Sequence, residues 1–447
     1  MANLPRHDTT EPIPGAAPVT VAAAPPMRSP RRRQPRNVDG SYVSIERREL
    51  PALTSLRWFA AFYVVIHHLI NVALLHTDGD DADRSATWYL AWGTQGHVGV
   101  TFFFVLSGFI LAWCYHRTFA LGGEPDSPEA RPARRRFWIA RFARVWPLHA
   151  VMFLAFVPLA LLDAGRTPIE LLRTAGTGVL NLSLLHAWVP FGGPDGLSDT
   201  FNAPSWTLSD EALFYVMFPF LAALLVRRLR WGAAQLGALA LGSWALLGAL
   251  GVALAGSERG EWAMRVFPPV RALDFVIGVA LGLIVVQGLQ LASLHARPVQ
   301  RPTTHAWTML EALTLLAAAC SPLVWAVALE DVLPDTLGTS WVHLPTIVAA
   351  IWVISLERGA ISRRVLAARP LVWLGEVSYA LYLVHLFLVL ATYRVGAYDL
   401  LGPWGASVLL VVVSVAVAGI VHERFEKPAR ARLVARLGRQ SSRRDHE

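Results

Sequence analysis

Two side chains on the first long apolar stretch are of types that do chemistry. Arg57 stands near its start, and His68 follows eleven residues later, directly after His67. At about 100° per residue, that separation falls within about 20° of whole turns and raises the chain by about 16 Å, so Arg57 and His68 share a helix face. His67 points about 80° away from Arg57. A guanidinium is a planar fork that matches phosphate. An imidazole is well suited to removing a proton from a hydroxyl near neutral pH. Structural roles stand beside these: a snorkelling anchor for Arg57 and a hydrogen bond between helices for His68.

Further groups of this kind recur along the chain. Arg141 and Arg144, i and i+3 on one face, form a second cationic fork, or else ordinary charge at a membrane surface. Ser205-Trp206 opens another apolar helix, which carries Asp210 and Glu211 in its first turns. Ser205 has the chemistry of an N-cap, and acids suit a helix N-terminus. A carboxylate there could equally orient a histidine. Arg271 and Asp274, again i and i+3, read as a mutually neutralising pair. Tyr379, Tyr382 and His385 recur every third residue on one broad face, and His385 is the second candidate for a base. Cys114 and Cys320 read as small buried thiols, with neither a disulfide framework nor a metal site.

Apolar helices must position all of these. Of the 447 residues, 54% are hydrophobic and only 16% charged, against about a quarter charged in soluble domains. Mean hydropathy is +0.43. Ten runs suit bilayer-crossing helices: 54–75, 96–115, 145–163, 206–226, 231–255, 266–288, 307–328, 341–357, 372–393 and 404–425. The formal charge of +8 does not point to nucleic acid, because the arginines sit in connectors, where the positive-inside rule puts them.

The same rule decides one ambiguous stretch, 174–190. Counted as a span, it would place Arg227, Arg228 and Arg230 outside and invert every later connector. Left out, it lets those arginines and the basic C-terminus fall inside, and acidic Asp78–Asp83 and Glu330–Asp335 fall outside. The expected architecture is therefore an all-α, polytopic membrane bundle of ten transmembrane helices with both termini cytoplasmic. A basic, Pro-rich cytoplasmic tail (1–48) precedes a membrane domain (49–428), and a basic tail (429–447) follows. Segment 164–205 becomes a large external or re-entrant piece. There is no internal repeat and no halving of the kind many transporters show.

Six pieces recur in a fixed order between about Leu53 and Pro428. They are Leu56-Arg57 with ten residues before His68, and Gly99-Val100 through Leu106-Ser107-Gly108-Phe109. Arg141-x-x-Arg144 follows, then Pro204-Ser205-Trp206 with Glu211-Ala212-Leu213-Phe214-Tyr215. The last two are Leu374-Gly375-Glu376-Val377-Ser378-Tyr379 through His385, and Glu426-Lys427-Pro428. Together they resemble the acyltransferase-3 family of membrane O-acyltransferases.

That resemblance implies ten helices, acyl-CoA as donor, and functional roles for the Arg57–His68 pair and for Arg141 and Arg144. Members often have Ser-Leu after the tryptophan, where this chain has Thr207-Leu208, and Asp210 here precedes Glu211, so which carboxylate acts stays open. Some members carry an appended hydrolase-like domain. None is visible here, and the chain is expected to deliver the acyl group itself.

The resulting expectation is an acyl-CoA-dependent O-acyltransferase of a bacterial inner membrane, with no metal. Arg57, Arg141 and Arg144 would hold acyl-CoA, most simply acetyl-CoA. His68 would take the acceptor's proton, supported by Glu211 or Asp210. Ser205, Trp206, Tyr382 and His385 would face the acceptor, a carbohydrate hydroxyl of a surface polysaccharide or of a glycolipid such as lipopolysaccharide. A secreted secondary metabolite such as a macrolide is the alternative acceptor, and a transporter or flippase the alternative class.

Overall fold

The computed structural model describes residues 49–76, 88–120, 130–163, 167–190, 197, 200–294 and 304–444. The tail 1–48 and the acidic connector 77–87 lie outside the described residues. The protein is all-helical, and among the described residues nine stretches are long and apolar enough to cross a bilayer.

In chain order the helices are α1 (Pro51–His76), the short α2 (Trp88–Gly93), α3 (His97–Tyr115), α4 (Ala130–Asp163), α5 (Pro168–Leu182), α6 (Trp206–Ala223) and α7 (Ala233–Leu254). Then come the short α8 (Glu258–Val266), α9 (Pro268–Leu294), α10 (Thr304–Val324), the single turn α11 (Asp335–Gly338), α12 (Leu344–Ser355), α13 (Arg369–Arg394), α14 (Ala397–Val421) and α15 (Lys427–Arg444).

Several helices differ from the apolar runs that announced them. The predicted span 341–357 is α12, of 12 residues, about 18 Å long against a hydrocarbon core of about 30 Å. Pro345 sits in its first turn, and the preceding His343 is tied to α10 by an Nδ1···Oγ contact of 3.0 Å with Ser321. The basic connector before the third span is itself helical, so α4 carries Arg131 through Arg144 on its first half. The C-terminal segment expected as a tail forms α15, which packs against α4.

The ambiguous stretch 174–190 is divided between two elements. Thr167 and Glu170 build a reciprocal capping box with Pro168 in the first turn, which starts α5 firmly. The helix then ends because Leu184 adopts a left-handed backbone, with φ of 61°. The Leu184 carbonyl accepts a 2.6 Å bond from Ser209 Oγ of α6, and a 3-10 turn, His186–Trp188, follows.

α3 and α9 approach each other closely. A Cβ at Gly108 of α3 would run into the backbone of Phe275 in α9, and one at Gly278 of α9 into the carbonyl of Val105 in α3. This is the small-residue packing that lets membrane helices touch without a hydrophobic driving force. α1 docks on α13. Cys114 and Cys320 are exposed rather than buried; each lies within an apolar span, on the surface that would meet lipid.

Candidate active site

Helices α1, α3, α6 and α13 enclose a narrow cavity at the Arg57 end of α1. Arg57 lines it, with Val100, Phe103 and Phe104 from α3, Thr207, Leu208 and Glu211 from α6, and Ser378, Tyr379 and Tyr382 from α13. At about 40 Å³ it is a crevice for a few waters.

Arg141 and Arg144 approach the same place from α4. Arg141 lies 5.9 Å from the ring centres of Tyr115, Phe137 and Tyr215, and Arg144 stands 5.7 Å over Tyr379. The Tyr379 hydroxyl donates to the Val145 carbonyl at 2.7 Å, which holds α13 against α4. Tyr215 donates to Glu211 at 2.7 Å. Arg57 is in electrostatic reach of both Arg144 and Glu211.

Among the described residues, none of Arg57, Arg141 and Arg144 forms an ion pair. Arg141 Nε is a buried donor with no partner. Guanidiniums gathered on aromatic rings, with one donor orphaned, are chemically suited to an anion. Half-buried Arg430 of α15 adds a fourth cation in electrostatic reach of Arg141 and Arg144. In the sequence it reads as tail charge, and only the packing of α15 on α4 brings it here.

A larger cavity, of about 490 Å³, opens at the His68 end of α1. His67, His68 and Asn71 line it from α1, Trp206 from α6 and Tyr382 from α13, with Gln95, Gly96, His97 and Arg265. Val100 and Tyr382 line both cavities, so the two abut there. Asn71 Nδ2 donates to His67 Nε2 at 3.1 Å. Gly96 is required beside it, because a Cβ there would strike the His67 side chain. Asn71, Gln95, His97 and Arg265 are missed by the sequence reasoning. The available signal was that polar side chains cluster at the same end of α1 and α3, where an apolar run would have sufficed.

The two acids of α6 part company. Glu211 faces the Arg57 cavity and bonds Tyr215. Asp210 is fully buried, with neither carboxylate oxygen hydrogen-bonded, in electrostatic reach of Arg271 and Asp274. Adjacent helical residues point about 100° apart, so both cannot face one histidine, and no hydrogen bond joins either to His68. The neighbour of His68 is instead His385, with ring centres 5.1 Å apart. The Arg271–Asp274 pair forms as expected at 3.0 Å, both side chains at most 1% exposed, with Arg271 also donating to Thr101 Oγ1 at 3.0 Å.

Ser205 does not act as an N-cap, since its side chain makes no capping bond. Fully buried, its Oγ accepts from Asn181 Nδ2 at 3.3 Å and lies 3.5 Å from His186 Nε2. Asn181 also accepts at its carbonyl from His149 of α4, at 3.0 Å. This network fastens α5 and the 186–188 turn to α4 and to the start of α6. Burial, reinforced by nearby His149, pushes the His186 ring down to about 3, so it is neutral. Tyr382 donates to the Pro204 carbonyl at 3.1 Å and accepts from Thr207 at 3.2 Å. Trp206 packs with Ala187, Trp262 and Val266, and it lines the larger cavity together with Val266.

A family model described as an acyltransferase domain matches residues 50–423. The chain is 30% identical to the acyltransferase MdmB of Streptomyces mycarofaciens, over 85% of this chain and 91% of that protein. It is 27% identical to a candidate peptidoglycan O-acetyltransferase, YrhL, of Bacillus subtilis, over 86% of this chain and 55% of that one. It is 23% identical to the peptidoglycan O-acetyltransferase OatA of Listeria monocytogenes, over 86% of this chain and 56% of that one. This chain thus spans nearly all of the first relative and just over half of the other two. No solved structure matches it. With the family model covering most of the chain, and an acyltransferase aligned along nearly the whole of its own length, this multi-pass membrane protein belongs to the acyltransferase-3 family.

Proposed function

We propose that the protein moves an acyl group, acetyl in the simplest case, from acyl-CoA to a hydroxyl of a carbohydrate, in the inner membrane of a bacterium. The observation that carries this reading is the pair of cavities abutting at Val100 and Tyr382, one beside arginines that form no ion pair among the described residues and the other beside His68. The arginine-rich connectors favour a cytoplasmic Arg57 end, which is where a CoA donor is available. Arg57, Arg141 and Arg144 are suited to its phosphates. The pantetheine arm is comparable in length to the rise from Arg57 to His68, about 16 Å. The Arg57 crevice, of about 40 Å³, is smaller than that arm, so its lining side chains must shift to admit it.

The acceptor enters the larger cavity past Trp206. Its hydroxyl oxygen attacks the thioester carbonyl as His68 takes the hydroxyl proton. The C–O bond forms, the C–S bond breaks, and the proton returns to sulfur, leaving free CoA and the ester. A volume of about 490 Å³ lies in the range of sites for drug-sized ligands. That is also compatible with the second acceptor reading, a secreted metabolite such as a macrolide.

The test is CoA release from acetyl-CoA by purified protein, with a panel of sugar and macrolide acceptors. Acceptor-dependent release, lost in His68→Ala and in Arg144→Ala, is expected. A folded protein that neither binds nor consumes acetyl-CoA would overturn the enzyme reading in favour of a transporter or flippase.

A further inference from the structure

His385 is fully buried on α13, and its surroundings define its tautomer. Its Nδ1 lies 3.1 Å from the carbonyl of Leu381, one turn earlier. A carbonyl only accepts, so Nδ1 carries the hydrogen and the neutral ring presents a bare lone pair at Nε2. That Nε2 is buried with no hydrogen-bond partner. Leaving a buried acceptor unsatisfied is costly, which calls for a donor in some state of the protein.

The polar ring beside it is His68. The two ring centres are 5.1 Å apart and the planes are inclined by 39°. An in-line N–H···N bond of about 2.9 Å between two imidazoles, each nitrogen about 1.1 Å from its ring centre, puts the centres about 5 Å apart. The bond is not formed in this structure. The separation is nevertheless that of the bonded pair, so rotation of the His68 ring closes it without moving either helix, and catalytic hydrogen bonds commonly tighten only with substrate bound. α13 is held firmly around this point. Asn202 Nδ2 donates to the Leu383 carbonyl at 3.0 Å, and Tyr382 is bonded to both Pro204 and Thr207. The other titratable groups facing the pair are His67 of α1, 5.0 Å from His68, and Tyr382, 6.2 Å from His385. No carboxylate is bonded to either ring among the described residues.

We propose that His385 is the positioning residue for His68, in the place where a carboxylate was expected. Its Nε2 accepts from one ring nitrogen of His68, which leaves the other nitrogen bare and aimed into the larger cavity. When His68 takes the acceptor's proton, His385 shares the resulting charge until that proton passes to the departing sulfur. A neutral imidazole suits a site within the membrane, where a permanent carboxylate charge is costly. The proposal rests on the acyl-transfer reading for its kinetic consequence, and on geometry alone for the tautomers.

The test uses the full chain in detergent, with two variants. His385→Phe keeps a ring and removes both nitrogens, and His385→Gln restores an acceptor near the Nε2 position. In CoA release from acetyl-CoA with sugar and macrolide acceptors, His385→Phe should lower kcat by about 100-fold, at the low end for a general-base contribution. KM for acetyl-CoA should stay within about twofold, and His385→Gln should recover about tenfold of the loss.

Nitrogen-15 spectra of histidine-labelled protein need no substrate. They should show His385 protonated at Nδ1, and His68 in a single tautomer that becomes mixed in His385→Phe. A kcat and KM that change together without rescue by glutamine, or a His68 tautomer indifferent to His385→Phe, would overturn the proposal. If the wild type releases no CoA with any acceptor, the acyl-transfer reading fails, and the tautomers still decide whether His385 orients His68.

Discussion

Replacing Arg144 by alanine separates a ligand-binding arginine from a structural one. Arg144 has no carboxylate partner among the described residues, and its guanidinium rests 5.7 Å over the Tyr379 ring. Removing it orphans no acid. The loss is one cation–π contact of about 0.5–1 kcal/mol, offset by relief of repulsion from Arg57 and Arg430, both in its electrostatic reach. Stability should therefore change by less than about 1 kcal/mol. A charge-assisted bond to a donor phosphate is worth about 1.5–3 kcal/mol, or about 10- to 150-fold in affinity.

Arg271 makes the opposite demand. It is 1% exposed, pairs with Asp274 at 3.0 Å, and its removal leaves a buried carboxylate alone. Breaking such a pair costs about 3–5 kcal/mol. Both variants should be measured in one detergent buffer, by calorimetric titration with CoA and by thermal unfolding. Arg144→Ala is expected to lose CoA affinity at nearly unchanged melting temperature, whereas Arg271→Met loses melting temperature. CoA affinity within about twofold of wild type in Arg144→Ala, or a melting temperature depressed as far as in Arg271→Met, would refute the reasoning.

Gly278→Leu should abolish folded yield, measured as monodisperse protein after purification, because a Cβ there meets the Val105 backbone. Gly176→Leu, with nothing within 4 Å, should be tolerated. Asp210→Asn should leave kcat within about threefold, since neither oxygen is hydrogen-bonded and Asp210 does not line the cavity of His68; a loss beyond about 100-fold would return Asp210 to the mechanism. Acidification should loosen residues 168–188. His186 is neutral when folded, pushed down to about 3 from 6.5, so below about pH 6.5 the unfolded segment binds more protons and stability falls with pH. The loss is about 2 kcal/mol at pH 5. It is checked by amide-exchange protection at pH 7 and pH 5, and the pH effect should shrink in His186→Gln.

Much of this protein was legible along the chain. Apolar runs are a local property, and they announced the membrane helices. Helical periodicity placed Arg57 and His68 on one face of α1, and an i, i+3 spacing paired Arg271 with Asp274. Each of these depends on residues within a few turns of one another, where the geometry of the α-helix suffices.

What the tertiary structure decided is how helices rotate and which of them touch. Asp210 and Glu211 differ by one residue, and only the packing of α6 sends one to a buried arginine and the other to Tyr215. The left-handed Leu184 that ends α5 is held from α6 by Ser209, a contact with no trace in the local pattern. Arg430 reaches the cation cluster because α15 docks on α4. His385 meets His68 because α13 docks on α1. Periodicity fixes the face a side chain takes on its own helix, and only interlocking of that face with another helix fixes its partner.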